Sequence, residues 1–261
     1  MSSKSLKNII RLVEGASNSL PVEQSFVNDL SYTIECIDKK NKRIPSKTFK
    51  PSSIGSCKRN IYFQLTGAKQ DEGRSSYTLI GICESGTDRH IRLQEAICSM
   101  KDFGIDCEFI DIADFVKYRN LTDIEIIEKS GIETKCYNKR YNISFLTDGI
   151  IRYCGKYYIL EIKTEMAHKY YEHKNVRPEH IPQGVTYYLS FGIPDVLYLY
   201  ENRDSLDKKA FHFVATEEAA NDIISVINEV SNDVKNDIIP DKEENKHKCA
   251  YCKYTEVCGG L

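Results

Sequence analysis

Asp148, Glu161 and Lys163 stand in "LTDGIIRYCGKYYILEIKTE", residues 146–165, among apolar residues that belong on the inside of a sheet. A charge placed there is costly unless it is paired or bound to a metal. The segment predicts a hairpin turning at Cys154-Gly155, with Gly155 supplying the left-handed conformation such turns need. An even-length loop sets Asp148 directly opposite Glu161, with cross-strand Cβ atoms ~5 Å apart, and puts Lys163 on the same face as Glu161. A three-residue loop would instead set Asp148 against Ile162 and send it to the other face. Two carboxylates so placed can share Mg²⁺ or Mn²⁺. Such a metal activates water and binds a scissile phosphate, while a nearby lysine offsets the developing charge. The plainer alternative is a solvent-facing hairpin carrying an ordinary surface ion pair. The hairpin alone does not separate the two.

Other spacings carry possible chemistry. Gly86 and His90 in "GTDRH", and Gln183 and Tyr187 in "QGVTY", are each four residues apart and share a helical face. A single histidine is more often a packing residue, and a Gln–Tyr pair can be the polar edge of an amphipathic helix. Of the ten cysteines, Cys249, Cys252 and Cys258 fall within the last thirteen residues. In a chain kept reduced, such a cluster points to metal rather than disulfides. With His247 it would complete a local Cys₃His set for zinc. "EMAHKYYEHKNVRPEH" mixes Lys169, Lys174 and Arg177 with Tyr170 and Tyr171 directly after Lys163. Charges for phosphates and rings for bases suit a single nucleic-acid strand; a solvated loop is the alternative. His168, His173, His180 and His212 lack comparable neighbours and are read as structural.

"TDGII" followed by "LEIKT" resembles the PD-(D/E)xK nuclease signature, with Thr147 where the pattern has proline. "GTDRH" is similar to the first motif of the RecB-type nucleases within that superfamily, and "QGVTY" to their Q-x-x-x-Y motif. The C-x2-C-x5-C spacing of Cys249, Cys252 and Cys258 is similar to the family's cluster motif, whose fourth cysteine lies upstream of the nuclease core. Cys57, in "SSIGSCKRNIYF", stands in that place. Over residues 50–261 the chain thus resembles RecB-type nucleases, including the CRISPR-associated iron–sulfur exonucleases, the AddB nuclease domain and phage relatives. The resemblance implies an α/β fold: a restriction-endonuclease-like core with a central mixed sheet flanked by helices, its N- and C-terminal segments joined at a metal cluster. It implies metal-dependent DNA cleavage, exonucleolytic and preferring single-stranded ends. It casts His90, Asp148, Glu161 and the Ile162 carbonyl as ligands of Mg²⁺ or Mn²⁺, Lys163 as the residue that positions or activates water, Gln183 as the substrate-orienting residue and Tyr187 as a DNA contact. Cys57, Cys249, Cys252 and Cys258 would hold a structural [4Fe–4S] cluster. Partners would be DNA, mainly single-stranded, and a recombination, helicase or CRISPR-adaptation protein.

These residues must be positioned by elements the patterning predicts. Residues 1–50 read as an N-terminal helical segment; the resemblance makes 51–240 the nuclease core and 241–261 a cysteine-rich segment packed on the region of Cys57. "SIGSCKRNIYFQLTG" reads as a short helix begun by serines, and "LIGICESGTDRHIRLQEAICSM" as a longer one. "DCEFIDIADFV" reads as strand and loop, and residues 132–165 as β-rich. "RPEHIPQGVTYYLSFG" has Pro near its start and Gly near its end, as a helix should. A second hairpin turns around "NRDSLD", and Thr216 caps a final long helix.

Composition bounds the rest. The 261 residues suffice for one elaborated α/β domain or two small ones. Net charge is −2, so nucleic-acid binding requires a local basic patch. No run reaches the ~18 apolar residues of a membrane span, and "MSSKSLKNIIRLVEGAS" lacks the apolar core of a secretory signal; the expected location is cytoplasmic, without membrane contact. No G-x-x-x-x-G-K-[ST] motor motif occurs. Two other functions stay open: a non-catalytic DNA-binding or partner-docking subunit that keeps the fold, and a zinc-stapled nuclease without iron.

Overall fold

The computed structural model describes residues 21–41, 46–71, 76–130, 132–244, 249 and 252–259. The chain divides into two compact units. The smaller comprises residues 1–43 and 75–82. Its described part holds helix α1 (Val22–Lys40), along which Val22, Phe26 and Leu30 are exposed; Glu35 accepts the Tyr77 backbone N–H. Any helix within residues 1–20 lies outside the described residues.

The larger unit, residues 44–74 and 83–261, is built on a five-stranded mixed sheet. Its order is β1 (Cys107–Ile110), β5 (Gly149–Tyr153), β6 (Lys156–Glu165), β7 (Asp195–Asn202) and β8 (Lys208–Val214). β6 and β7 run parallel and the other neighbours antiparallel. β2 (Ile124–Ser130), β3 (Glu133–Asn138) and β4 (Ile143–Thr147) form a separate antiparallel sheet. One face of the main sheet packs on α3 (Tyr77–Cys98): Leu93 shares a core cluster with Leu160 and Ile162. The other face packs on α6 (Ile181–Phe191) and α7 (Glu217–Lys235), with Val185, Tyr187 and Ile223 in the main core beside Ile159 and Tyr198. Gly184 permits this approach, since a Cβ there would lie 2.1 Å from the Tyr198 hydroxyl. The α/β fold with a central mixed sheet flanked by helices is as expected.

The hairpin register is also as expected. Gly149 pairs with Leu160 and Tyr153 with Lys156, leaving the two-residue turn Cys154-Gly155. Both turn residues have positive φ, +48° and +78°, the pattern that fits strand twist. Thr216 accepts the Ala219 N–H at 3.2 Å and caps α7 as read. Three local readings change. Helix α2 (Lys58–Thr66) starts at Cys57 with no side-chain cap, so serines do not begin it. The stretch after β1 is not a loop but helix α4 (Ile112–Tyr118), because Asp111 accepts the Asp114 N–H and nucleates the turn. β2 was not anticipated; its strand pairs with β3 through a bulge between Ile126 and Glu128, which breaks the alternation that would announce it.

Candidate active site

Asp148 is the single residue between β4 and β5, and so between the two sheets. The β5–β6 ladder ends at Gly149 opposite Leu160. Beyond it, the Asp148 carboxylate takes over as acceptor: Oδ2 receives the Ile162 backbone N–H at 2.6 Å. Gly149 has φ +156°, and a Cβ there would lie 2.3 Å from the Phe109 ring of β1. Glycine is therefore what lets the chain leave the junction and enter β5.

His90 comes from α3, with Nδ1 3.0 Å from Asp148 Oδ1. Gln94, one turn further along the same helical face, donates to the Asp148 backbone oxygen at 2.7 Å and is 1% exposed. Gly86, one turn before His90, would set a Cβ 3.9 Å from Thr164 Oγ1 on β6, an ordinary contact. Gln94 was not singled out in the sequence; its signal is the four-residue spacing after His90.

Glu161 is buried, and its Oε1 is 2.6 Å from Lys163 Nζ. Its other oxygen, Oε2, is buried with no hydrogen-bond partner among the described residues. Burial, then the nearby Asp148 charge, push the Glu161 carboxyl up to about 7. Burial works against the His90 imidazolium, but the Asp148 hydrogen bond and the charges of Asp148 and Glu161 outweigh it and hold the imidazole above its ordinary range.

A directional chain extends from Lys163. Its Nζ donates to Gln183 Oε1 (2.8 Å), Gln183 Nε2 donates to the Tyr187 hydroxyl (2.9 Å), and Tyr187 donates to the Leu146 carbonyl (3.0 Å). Gln183 and Tyr187 thus tie the β6 lysine to the end of β4. Two expected nucleic-acid contacts lie in the core instead. Tyr187 is 2% exposed and packs on Phe145, and Tyr170, in helix α5 (Ala167–Glu172), is buried with Lys209 Nζ over its ring at 4.2 Å. Their hydroxyls made them look amphipathic in sequence, but the rings fill space against neighbouring aromatics. Lys169, Tyr171 and Lys174 are exposed; Arg177 is paired with Glu179 and Glu165.

The orphaned Glu161 oxygen fits a divalent cation. A buried acceptor without a partner carries a penalty that a hard cation would remove. Asp148 Oδ1 and the His90 ring stand on the same side of the ladder end. Among the described residues no three His, Cys, Asp or Glu side chains are grouped so as to hold a metal ion.

The cysteines occupy another region. Burial pushes the Cys252 thiol up, and the nearby charges of Cys57, Cys249 and Cys258 add to this; as placed, the four thiols do not form a metal site. Asp71, ahead of α3 in sequence, fastens the C-terminal turn by accepting the Thr255 N–H (2.9 Å) and the Glu256 N–H (3.0 Å). Tyr254 packs on Phe63 of α2. His247, the fourth donor of the zinc alternative, lies outside the described residues.

No protein-family model and no curated protein matches the chain. Among solved structures, the chain is similar to the crystal structure of SSO0001 (14% identity, 91% of this chain and 98% of that one, TM-score 0.49). It is also similar to an alkaline exonuclease, LHK-Exo, from Laribacter hongkongensis (11% identity, 74% and 91%, TM-score 0.46). LHK-Exo in complex with dAMP gives 13% identity, 78% and 94% coverage and a TM-score of 0.42. All are remote likenesses. No helix among the described residues is long and apolar enough to cross a membrane.

Proposed function

We propose that the chain is a Mg²⁺- or Mn²⁺-dependent deoxyribonuclease acting on single-stranded DNA ends. The observation that carries this reading is the buried, unpartnered Glu161 Oε2 beside Asp148. A binding module has no use for a carboxylate pair that raises its own folding cost, whereas a metal site requires one. His90, Asp148, Glu161 and the Ile162 carbonyl would hold the ion. When bound, it would polarise a phosphoryl oxygen and ease deprotonation of water. Lys163 holds a positive charge beside Glu161 and steadies the attacking oxygen. Gln183 and Tyr187 fix the lysine, and Gln94 fixes Asp148 through its backbone. Lys169, Lys174, Arg177 and exposed Tyr171 would engage the strand.

The same reading gives Cys57, Cys249, Cys252 and Cys258 a [4Fe–4S] cluster that ties the C-terminal turn to α2. It is supported by the nearness of Cys57, Cys249 and Cys258 to Cys252 and by the motif spacing, which suits four thiolates on iron. A recombination, helicase or CRISPR-adaptation protein would supply the DNA.

One assay tests the function: labelled single- and double-stranded DNA with Mn²⁺, Mg²⁺ or EDTA. Metal-dependent shortening of the single strand is expected. Binding without cleavage under every condition would leave the non-catalytic subunit as the better account.

A further inference from the structure

A cleft of about 210 Å³ opens directly beyond Lys163, between the end of β6, the turn Pro178–His180 and Arg203 after β7. Several cations line it, but they are not equivalent. Arg177 is committed to Glu179 at 2.7 Å and approaches Glu165 at 3.6 Å. Lys163 is committed to Glu161 and Gln183. Lys169 and Arg203 have no carboxylate partner among the described residues.

Arg203 is nevertheless fixed. Its Nη2 donates to the Thr164 carbonyl at 3.1 Å, its Nε reaches Thr164 Oγ1 at 3.4 Å, and its backbone N–H donates to the Glu165 carbonyl at 2.7 Å. It is a cation held in place by neutral groups, with its ordering cost met before any ligand arrives. His180 adds a neutral donor. Its Nδ1 lies 2.8 Å from the Tyr200 hydroxyl, which also accepts the Arg177 N–H; when that hydroxyl donates to Nδ1, the His180 proton sits on Nε2. Burial, aided by the Lys163 charge, pushes the imidazole down to about 4, so this donor is uncharged near neutral pH. α6 begins at the next residue, and its positive end faces the same region.

We propose that this cleft seats one backbone phosphate of a single strand, next to the scissile one, gripped by Lys169 and Arg203 with His180 donating from the side. The proposal rests on the nuclease reading for the position of the scissile phosphate. The size agrees: at ~30 Å³ per liquid water, the cleft holds about seven waters' worth of space, enough for a phosphate with part of its sugar.

The test uses short labelled single strands, each with a neutral methylphosphonate at one linkage. Binding is measured with Ca²⁺ in place of Mn²⁺, so that no cleavage is needed. For the wild-type chain, one linkage should weaken binding about tenfold when neutralised, the size expected for a lost charge-assisted hydrogen bond. In Lys169→Gln and in Arg203→Gln the penalty at the same linkage should shrink well below tenfold, because one of its two cations is gone. Lys169 is exposed and has no ion-pair partner among the described residues, so its variant carries the test if loss of Arg203 disturbs folding. Equal sensitivity at every linkage, or a persisting tenfold effect in Lys169→Gln, overturns the proposal. A position-specific binding pattern without any Mn²⁺-dependent cleavage would instead sink the nuclease reading and leave the phosphate seat standing.

Discussion

The Asp148 carboxylate completes the β6 backbone: Oδ2 accepts the Ile162 N–H at 2.6 Å where the β5–β6 ladder has ended. One side chain therefore serves the fold with one oxygen and faces His90 with the other.

These two roles separate by substitution. Asp148→Ala leaves the Ile162 N–H buried without an acceptor, and such a group costs ~1–3 kcal/mol. Asp148→Asn keeps an acceptor and also removes the like charge that raises Glu161. Without metal at pH 8, the Asn variant should be at least as stable as wild type in urea and the Ala variant clearly less so. Both should lose cleavage. Equal stability of the two variants would show that the hydrogen bond to Ile162 contributes nothing.

Stability of the metal-free protein should fall as pH rises. Glu161 ionises near 4.5 in the unfolded chain and about 7 in the fold, so the folded state binds more protons between those values. His90, raised in the fold, adds stability that is present below its unfolded value of 6.5 and lost as pH passes its folded value. Both slopes have the same sign. At ~1.4 kcal/mol per pKa unit, the Glu161 penalty at pH 8 is on the order of 3 kcal/mol. On the nuclease reading, a bound cation would remove it. Urea melts with and without Mn²⁺ should show a larger metal increment at pH 8 than at pH 6; equal increments would remove Glu161 from the ligand set.

Much of this geometry was readable in the sequence, for a definite reason. A two-residue turn fixes register, and Cys154-Gly155 carries the residue type that turn demands, so the relative placement of Asp148, Glu161 and Lys163 followed from counting. What counting could not show is that the chain changes sheets at Asp148. That depends on Phe109 crossing Gly149 from a strand forty residues earlier in sequence. Gln94 is announced only by its four-residue spacing after His90, and the hydrogen bonds that Arg203 and His180 make with Thr164 and Tyr200 come from tertiary packing that no spacing records. Tyr170 and Tyr187 were misplaced because a tyrosine that reaches one hydrogen bond from the core looks, in sequence, like one that faces solvent.

The adjacent tyrosines of α5 should behave in opposite ways. Tyr170 is buried under Lys209, and truncating a buried aromatic ring to Ala costs about 3–5 kcal/mol. Tyr171 is 65% exposed, with its hydroxyl on Asp207. Tyr171→Ala should leave the urea midpoint nearly unchanged and weaken single-strand binding by ~1–3 kcal/mol, as loss of a stacking ring does. If Tyr171→Ala binds normally, the strand does not pass over α5.

Cys57 caps the start of α2 with no side-chain hydrogen bond, so its thiol has no structural task at that position. Cys57→Ala should therefore be harmless unless the thiol holds metal. On the iron–sulfur reading, anaerobically purified wild type is brown and contains iron, and the variant is colourless and less stable. A brown, stable Cys57→Ala protein would take Cys57 out of the ligand set, and zinc in place of iron in the wild type would favour the zinc-stapled alternative.

Lys163 offers the sharpest separation of binding from chemistry. Its ammonium lies 2.6 Å from Glu161 Oε1 and donates to Gln183, at the head of the chain that runs through Tyr187 to β4. On the nuclease reading, Lys163→Ala removes a charge beside the reacting phosphate while leaving Lys169 and Arg203 available to the strand. Cleavage should fall by ~10²–10³, the range seen when one electrostatic stabiliser of a transition state is lost. Single-strand affinity in Ca²⁺ should change little. The variant should also bind Mn²⁺ more tightly, because Glu161 loses the cation that competes with the metal for its oxygens. Tyr187→Phe offers a graded control: it keeps the ring against Phe145 and removes only the hydroxyl link between Gln183 and Leu146. Its cleavage rate should fall between those of wild type and Lys163→Ala, with affinity unchanged. A Lys163→Ala protein that cleaves like wild type would end the assignment of this lysine to the reaction.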